Sequence, residues 1–142
     1  MKLDKEFDVA CSRDAAAAAL ACDETLLELF PNTKTEIVAR DGGRRTLRSH
    51  YRALGQDGTA TFHFRVEPGG EVRFEKVCDG RIWRQLEGRV SFAPRGKRTR
   101  VRIEMEGRTK PLVPELAIRG PLREQLDKMA AALRERLERV EG

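Results

Sequence analysis

Five turn signals punctuate the middle of the chain and restrict, more than any other feature, what it can become. Asp41-Gly42-Gly43, Gly55-Gln56-Asp57-Gly58, Pro68-Gly69-Gly70, Asp79-Gly80 and Pro94-Arg95-Gly96 each supply a residue able to adopt positive φ, as a tight hairpin requires. The runs between them alternate. Ala60, Phe62, Phe64 and Val66 share one side, as do Val72 and Phe74, then Ile82, Leu86, Val90 and Phe92, then Val101, Ile103 and Met105, with Arg, Glu and Thr between them. Period two bounded by tight turns means hairpins in series, so the six strand-like runs from Thr33 to Thr109 form an antiparallel meander with one wet face and one covered face. The run from Arg81 to Pro94 would extend roughly 40 Å at about 3.3 Å per residue. Gly88 is therefore expected to mark a bend or bulge that lets the sheet curl.

The flanks of the meander read differently. Leu3, Phe7 and Val9 give a short first strand with one apolar side, interrupted by Lys5. Ser12 can cap a helix opened by Arg13 and Asp14, whose Ala15–Ala19 run has high helix propensity and little bulk. Asp23 is expected to cap a second short helix carrying Leu26, Leu27, Leu29 and Phe30, ended by Pro31-Asn32. At the other end Leu122, Leu126, Met129, Leu133 and Leu137 make one apolar stripe, predicting a long amphipathic helix from Pro121 to Val140. Pro111 to Gly120 reads as a break with one or two helical turns and a kink at Gly120. That helix is the cover the concave side of the sheet needs.

With 142 residues, the chain fits one domain, 1–142, with one core. No apolar run approaches the roughly 20 residues a membrane span requires, and Lys2-Leu3-Asp4-Lys5-Glu6 does not suit a cleaved signal, so the expected compartment is the cytoplasm. Cys11, Cys22 and Cys78 are odd in number and scattered, which favours free, packed thiols over disulfide or metal roles. The net charge of +5 raises the question of nucleic acid, yet the arginines alternate with apolar residues and are interleaved with acids, as on the solvent face of a half-buried sheet.

Taken together, Lys2-Leu-Asp-Lys-Glu-Phe-Asp-Val-Ala10, the Ser12-Arg-Asp14 helix start, Asp23-Glu-Thr-Leu-Leu-Glu-Leu-Phe-Pro31, the meander and the last helix resemble the helix-grip superfamily. These are the START and polyketide cyclase/dehydrase-like (SRPBCC) domains, which include relatives of the pollen allergen Bet v 1. The resemblance covers nearly all of residues 2 to 140 and is one of pattern, without a signature motif. It implies an α+β fold: a curved antiparallel sheet of about seven strands, in the order β-α-α-β6-α, around a long C-terminal helix. It also implies a hydrophobic small molecule, lipid-, polyketide- or quinone-like, held between sheet and helix, or cyclisation or dehydration carried out there. No cofactor is implied.

An empty space of about 300 Å³ would cost about 7 kcal/mol, so such a cavity is filled by its own side chains, by water or by a ligand. Phe62, Phe64, Phe74, Leu86, Met105, Leu116, Leu122 and Leu126 are the expected apolar lining. Extending the alternation puts Ser49 and Tyr51 with Leu47, Lys76 with Val72 and Phe74, and Arg84 with Ile82 and Leu86 on the same face. A cation turned toward an apolar interior needs an anion, so Lys76 and Arg84 would suit an acidic head group. Both also have a bland reading, snorkelling from a strand end or a face reversed by a bulge. Trp83 falls on the outer face by alternation, so either a bulge turns it inward or it forms an exposed interaction patch. His50 and His63 fall on the polar side, and no metal-ligand spacing, nucleophile–base pair or phosphate loop occurs. Three functions follow: a noncatalytic carrier or sensor of an apolar molecule, which is favoured; a cyclase or dehydratase; and a basic module presenting Arg48, Arg52, Arg98, Arg100 and Arg102 to nucleic acid. The oligomeric state stays open.

Overall fold

A computed structural model describes residues 1–30, 34–53, 56–78 and 82–140, with the side chains of 51–53 and 56 outside that description. The elements are β1 (Lys2–Val9), α1 (Arg13–Leu20), α2 (Asp23–Glu28), β2 (Lys34–Asp41), β3 (Arg44–Ala53), β4 (Gln56–Val66), β5 (Val72–Lys76), β6 (Trp83–Arg95), β7 (Arg98–Thr109) and α3 (Glu115–Glu138). All strands belong to one antiparallel sheet in the order β1-β7-β6-β5-β4-β3-β2. Six strands follow one another as hairpins. Only β1 departs from chain order, pairing with β7, so α1 and α2 carry the chain from one edge of the sheet to the other. This is the α+β helix-grip architecture with its seven strands.

The turn chemistry does what the sequence asks of it at three places, where Gly42, Gly70 and Gly96 hold φ values of 57°, 90° and 62°. Gln56, Asp57 and Gly58, expected in a turn, instead belong to β4 and pair with Ala53, Arg52 and Tyr51 of β3. Asp79-Gly80, Gly55 and the Pro31-Asn32 stop lie outside the described residues. Gly88 has a different purpose from the one expected, since β6 and β7 pair without interruption from Gln85 to Arg95. A Cβ there would fall 2.2 Å from the ring of Phe74, so the missing side chain makes room for that ring. The bulge sits instead at the start of β6, between Trp83 and Gln85. Arg84 is the extra residue, which shifts the alternation by one: Trp83 is buried, Arg84 faces solvent and Ile82 is exposed. The tryptophan ring lies over Gly107, where a Cβ would meet it at 2.4 Å.

Ser12 caps α1 as its chemistry predicts, its Oγ accepting from Ala15 N at 3.2 Å. Asp23 does not cap α2. Cys22 occupies the cap position, and the Asp23 carboxylate instead accepts from Arg40 and from Arg45 Nε, the latter at 2.8 Å. Those guanidiniums, Arg40 first and then Arg45, hold the Asp23 carboxyl below the usual carboxylate range. Helix α3 begins at Glu115, six residues before the expected Pro121 start, and runs through Pro121 without a break. Gly120 explains the tolerance, because a residue without Cβ avoids much of the clash that proline imposes on its predecessor.

The core is the apolar face of the sheet closed by the helices. Leu122, Leu126, Met129, Leu133 and Leu137 of α3 are all buried, which at about 1.5–3 kcal/mol per large apolar side chain makes this stripe one of the chief sources of stability. Lys5, the interruption in β1, lies on the same face and extends to α3, its Nζ 3.2 Å from Asp127 Oδ1. The far end of α3 is tied to α2 through Arg136, which pairs with Glu24 at 3.2 Å and Glu28 at 3.4 Å.

Candidate functional site

Two regions bear on ligand binding: the apolar interior between sheet and α3, whose side chains pack into one buried cluster, and a groove across the polar face of the sheet. The interior is built by register. Leu47 stands opposite Phe62, Ser49 opposite Ala60, Phe62 opposite Lys76 and Phe64 opposite Phe74, so β3, β4 and β5 bring most of the expected residues to one side. Phe30, following α2, completes the cluster, with ring centroids 5.0 Å from Phe62 and 6.1 Å from Phe64, while Phe64 stacks on Phe74 at 5.2 Å. Leu86 and Met105 are buried on β6 and β7, and Leu122 and Leu126 are buried on α3.

Polar groups enter this lining at a few defined points. Ser49 is buried, and its hydroxyl lies 2.8 Å from Thr35 Oγ1 on β2. Thr25 on α2 is buried with its Oγ1 unpartnered among the described residues, a group that alternation in the strands could not have found. Lys76 is half-buried directly across from Phe62, and its ammonium makes no ion pair or hydrogen bond with a described residue. Tyr51 belongs to the same alternation, but its side chain lies outside the described residues.

Two expected lining residues are elsewhere. Arg84 is exposed because the Trp83 bulge reverses the face, and Leu116 points to solvent from the first turn of α3. Trp83 takes the inward placement by a bulge, one of the two readings that its sequence position allows, and its ring packs over Gly107. Cys11 is buried, and burial pushes its thiol up, as suits an inert core cysteine.

The groove on the polar face encloses about 700 Å³. Its floor is laid out in rows, since cross-strand pairing sets Arg44, Arg65, Arg73 and Arg89 side by side on β3 to β6, with Glu75, Glu87 and Glu106 in the next row. Glu71 and Glu104 neutralise Arg89, and the Glu104 contact at 2.6 Å, a charge-assisted bond, holds the guanidinium pKa above its ordinary value. Six cations and six carboxylates line the groove, so it presents no net charge to a polyanion. Arg100 and Arg102 are likewise engaged, Arg100 Nε 3.1 Å from Asp8 and Arg102 2.8 Å from Asp4 and 3.1 Å from Glu104. Arg48 and Arg98 are exposed, and Arg52 lies outside the described side chains.

The histidines stand on the polar side. His50 Nε2 is 3.4 Å from Glu36 and exposed, and His63 Nδ1 is 2.9 Å from Thr46 Oγ1. No group of three potential metal ligands forms among the described residues. No helix among them is long and apolar enough to cross a membrane.

Solved structures share this architecture. A START superfamily protein from Mycobacterium smegmatis superposes with a TM-score of 0.76 at 23% identity, over 96% of this chain and 97% of that one. The Zhui aromatase/cyclase from Streptomyces gives 0.75 at 19% identity over 97% and 91%. A STAR-related lipid transfer protein from Xanthomonas axonopodis gives 0.69 at 16% identity over 97% and 86%. No protein-family model and no curated protein sequence matches the chain. The fold is therefore the START-like, SRPBCC fold.

Proposed function

We propose that the protein is a noncatalytic carrier or sensor of a hydrophobic small molecule, held between the sheet and α3 with its polar end toward Lys76. The START-like fold is a hydrophobic ligand-binding fold, and the proteins that share it include the STAR-related lipid transfer protein from Xanthomonas axonopodis. The observation that carries the reading is Lys76, a half-buried cation on the apolar face, opposite Phe62 and without a described anionic partner. A carboxylate or similar anionic head group would supply the missing charge. Phe62, Phe64, Phe74, Leu86, Met105, Leu122 and Leu126 would contact the apolar body.

A cyclase or dehydratase would require a titratable base within the interior. The two histidines face the other way, so such chemistry would have to use Lys76, the group assigned here to the head group.

Titration with a fluorescent fatty acid tests the reading. Wild type should bind, Lys76→Ala should weaken binding by about tenfold, in line with loss of a charge-assisted contact, and Arg84→Ala should leave it unchanged. Absence of binding, together with no co-purifying species in native mass spectrometry, would overturn the proposal.

A further inference from the structure

The end of the sheet where β5 and β7 finish and β6 begins carries large apolar side chains in water. Leu112 is 97% exposed, Leu116 86%, Val77 45% and Ile82 42%. They belong to one structural end, since the Lys110 N–H donates to Ile82 O at 2.9 Å and ties the β7–α3 connection to the start of β6. Leu112 is held outward by an ordered turn: Val113 N–H donates to Lys110 O at 2.9 Å, and Thr109 Oγ1 donates to Val113 O at 2.8 Å. Flanking prolines at 111 and 114 stiffen the same segment.

The charges around these side chains are equally uneven. Residues 82–85 and 108–119 contain four cations, Arg84, Arg108, Lys110 and Arg119, and one carboxylate, Glu115. None of the four cations makes an ion pair with a described residue. This contrasts with Arg73, Arg89, Arg100 and Arg102 on the sheet face, each of which meets at least one carboxylate.

We infer that this end docks on an anionic lipid surface, with Leu112 and Leu116 entering the apolar boundary and Arg84, Lys110 and Arg119 meeting the head groups. Bare leucines with basic residues near them in the chain that make no ion pair with a described residue fit the pattern by which peripheral segments bind such an interface. A second copy of the chain is the poorer occupant. A stable dimer buries roughly 800 Å² on each partner with matched shape, more than this small, protruding set of side chains offers, and like charges would meet across it. A lipid surface needs no matched shape.

Vesicle co-sedimentation tests the inference independently of what the interior binds. The purified chain should pellet with vesicles of phosphatidylcholine mixed equally with phosphatidylglycerol, much less with phosphatidylcholine alone, and release as salt rises. Leu112→Ser with Leu116→Ser should reduce binding by at least about tenfold. Lys110→Glu with Arg119→Glu should do the same, since each basic residue near a charged surface contributes about fivefold. Circular dichroism melting should show both variants folded. Failure of wild type to bind the anionic vesicles would overturn the docking inference, and so would leucine variants that bind as wild type does. A dimer in sedimentation equilibrium that these variants dissolve would overturn it too, assigning the leucines to a copy interface. Fatty acid binding that persists in the leucine variants would show that interior and docking surface fail separately.

Discussion

Helix α3 has two ends with opposite fates. From Leu122 to Leu137 each large apolar residue of the stripe is buried against the sheet and α2, whereas Leu116, one turn before Pro121, stands in water. The residue type is the same and the helix is continuous. What differs is the surface opposite, since the sheet and α2 back the later turns and nothing among the described residues covers the first. An apolar side chain is a stabilising element only where something removes it from water.

The sharpest way to break this contrast is to truncate a leucine at each end. Leu126→Ala, fully buried, should lose about 2–5 kcal/mol in urea denaturation. A loss below 1 kcal/mol would mean that α3 is not the lid of the core. Gly107→Ala probes the sheet end nearest Trp83, where the new methyl would stand 2.4 Å from the indole ring. Overpacking there should cost about 1–3 kcal/mol and change the near-ultraviolet tryptophan signal.

Effects of intermediate size test the N-terminal helices that complete the sealed end. Ser12→Ala removes the α1 cap and should cost about 1 kcal/mol, read from the same denaturation curves. Asp23 tests the electrostatic tie between α2 and the β2–β3 hairpin. Its folded pKa is lowered by Arg40 and Arg45, so its stabilisation is fully present above the unfolded value of about 4 and is lost as pH falls through the folded value. Asp23→Asn should therefore be less stable than wild type at neutral pH, with the difference shrinking at pH 3. A difference constant with pH would rule out the ion pairs as its source. The smallest effect is expected at the bare end: Leu116→Ser should change stability by no more than about 0.5 kcal/mol. A larger loss would show that Leu116 has a partner in solution.

Much of this architecture was legible in the sequence, and for identifiable reasons. The hairpins are local: Gly42, Gly70 and Gly96 need positive φ in any context that turns the chain tightly. The α3 stripe and the Ser12 cap are local as well. The interior lining followed from alternation wherever alternation was unbroken, which is why Ser49, Phe62, Phe64, Phe74 and Lys76 could be grouped. Alternation failed at one inserted residue. The bulge at Trp83 and Gln85 removed Arg84 from the interior and turned the tryptophan in. Nothing in the local sequence distinguishes that bulge from the one expected at Gly88, because the choice depends on Phe74 in β5 needing Gly88's empty face and Trp83 needing Gly107's.

By itself, then, the sequence determined the period of each segment, the positions of its turns and the side of each regular strand that avoids water, since these depend on neighbours within a few residues. Only the tertiary structure decided which arginines are neutralised, where the bulge falls, and which leucines remain bare. Those outcomes depend on residues distant in sequence: Arg100 meets Asp8, Arg102 meets Asp4, and Trp83 meets Gly107 through contacts that exist only once the sheet has formed.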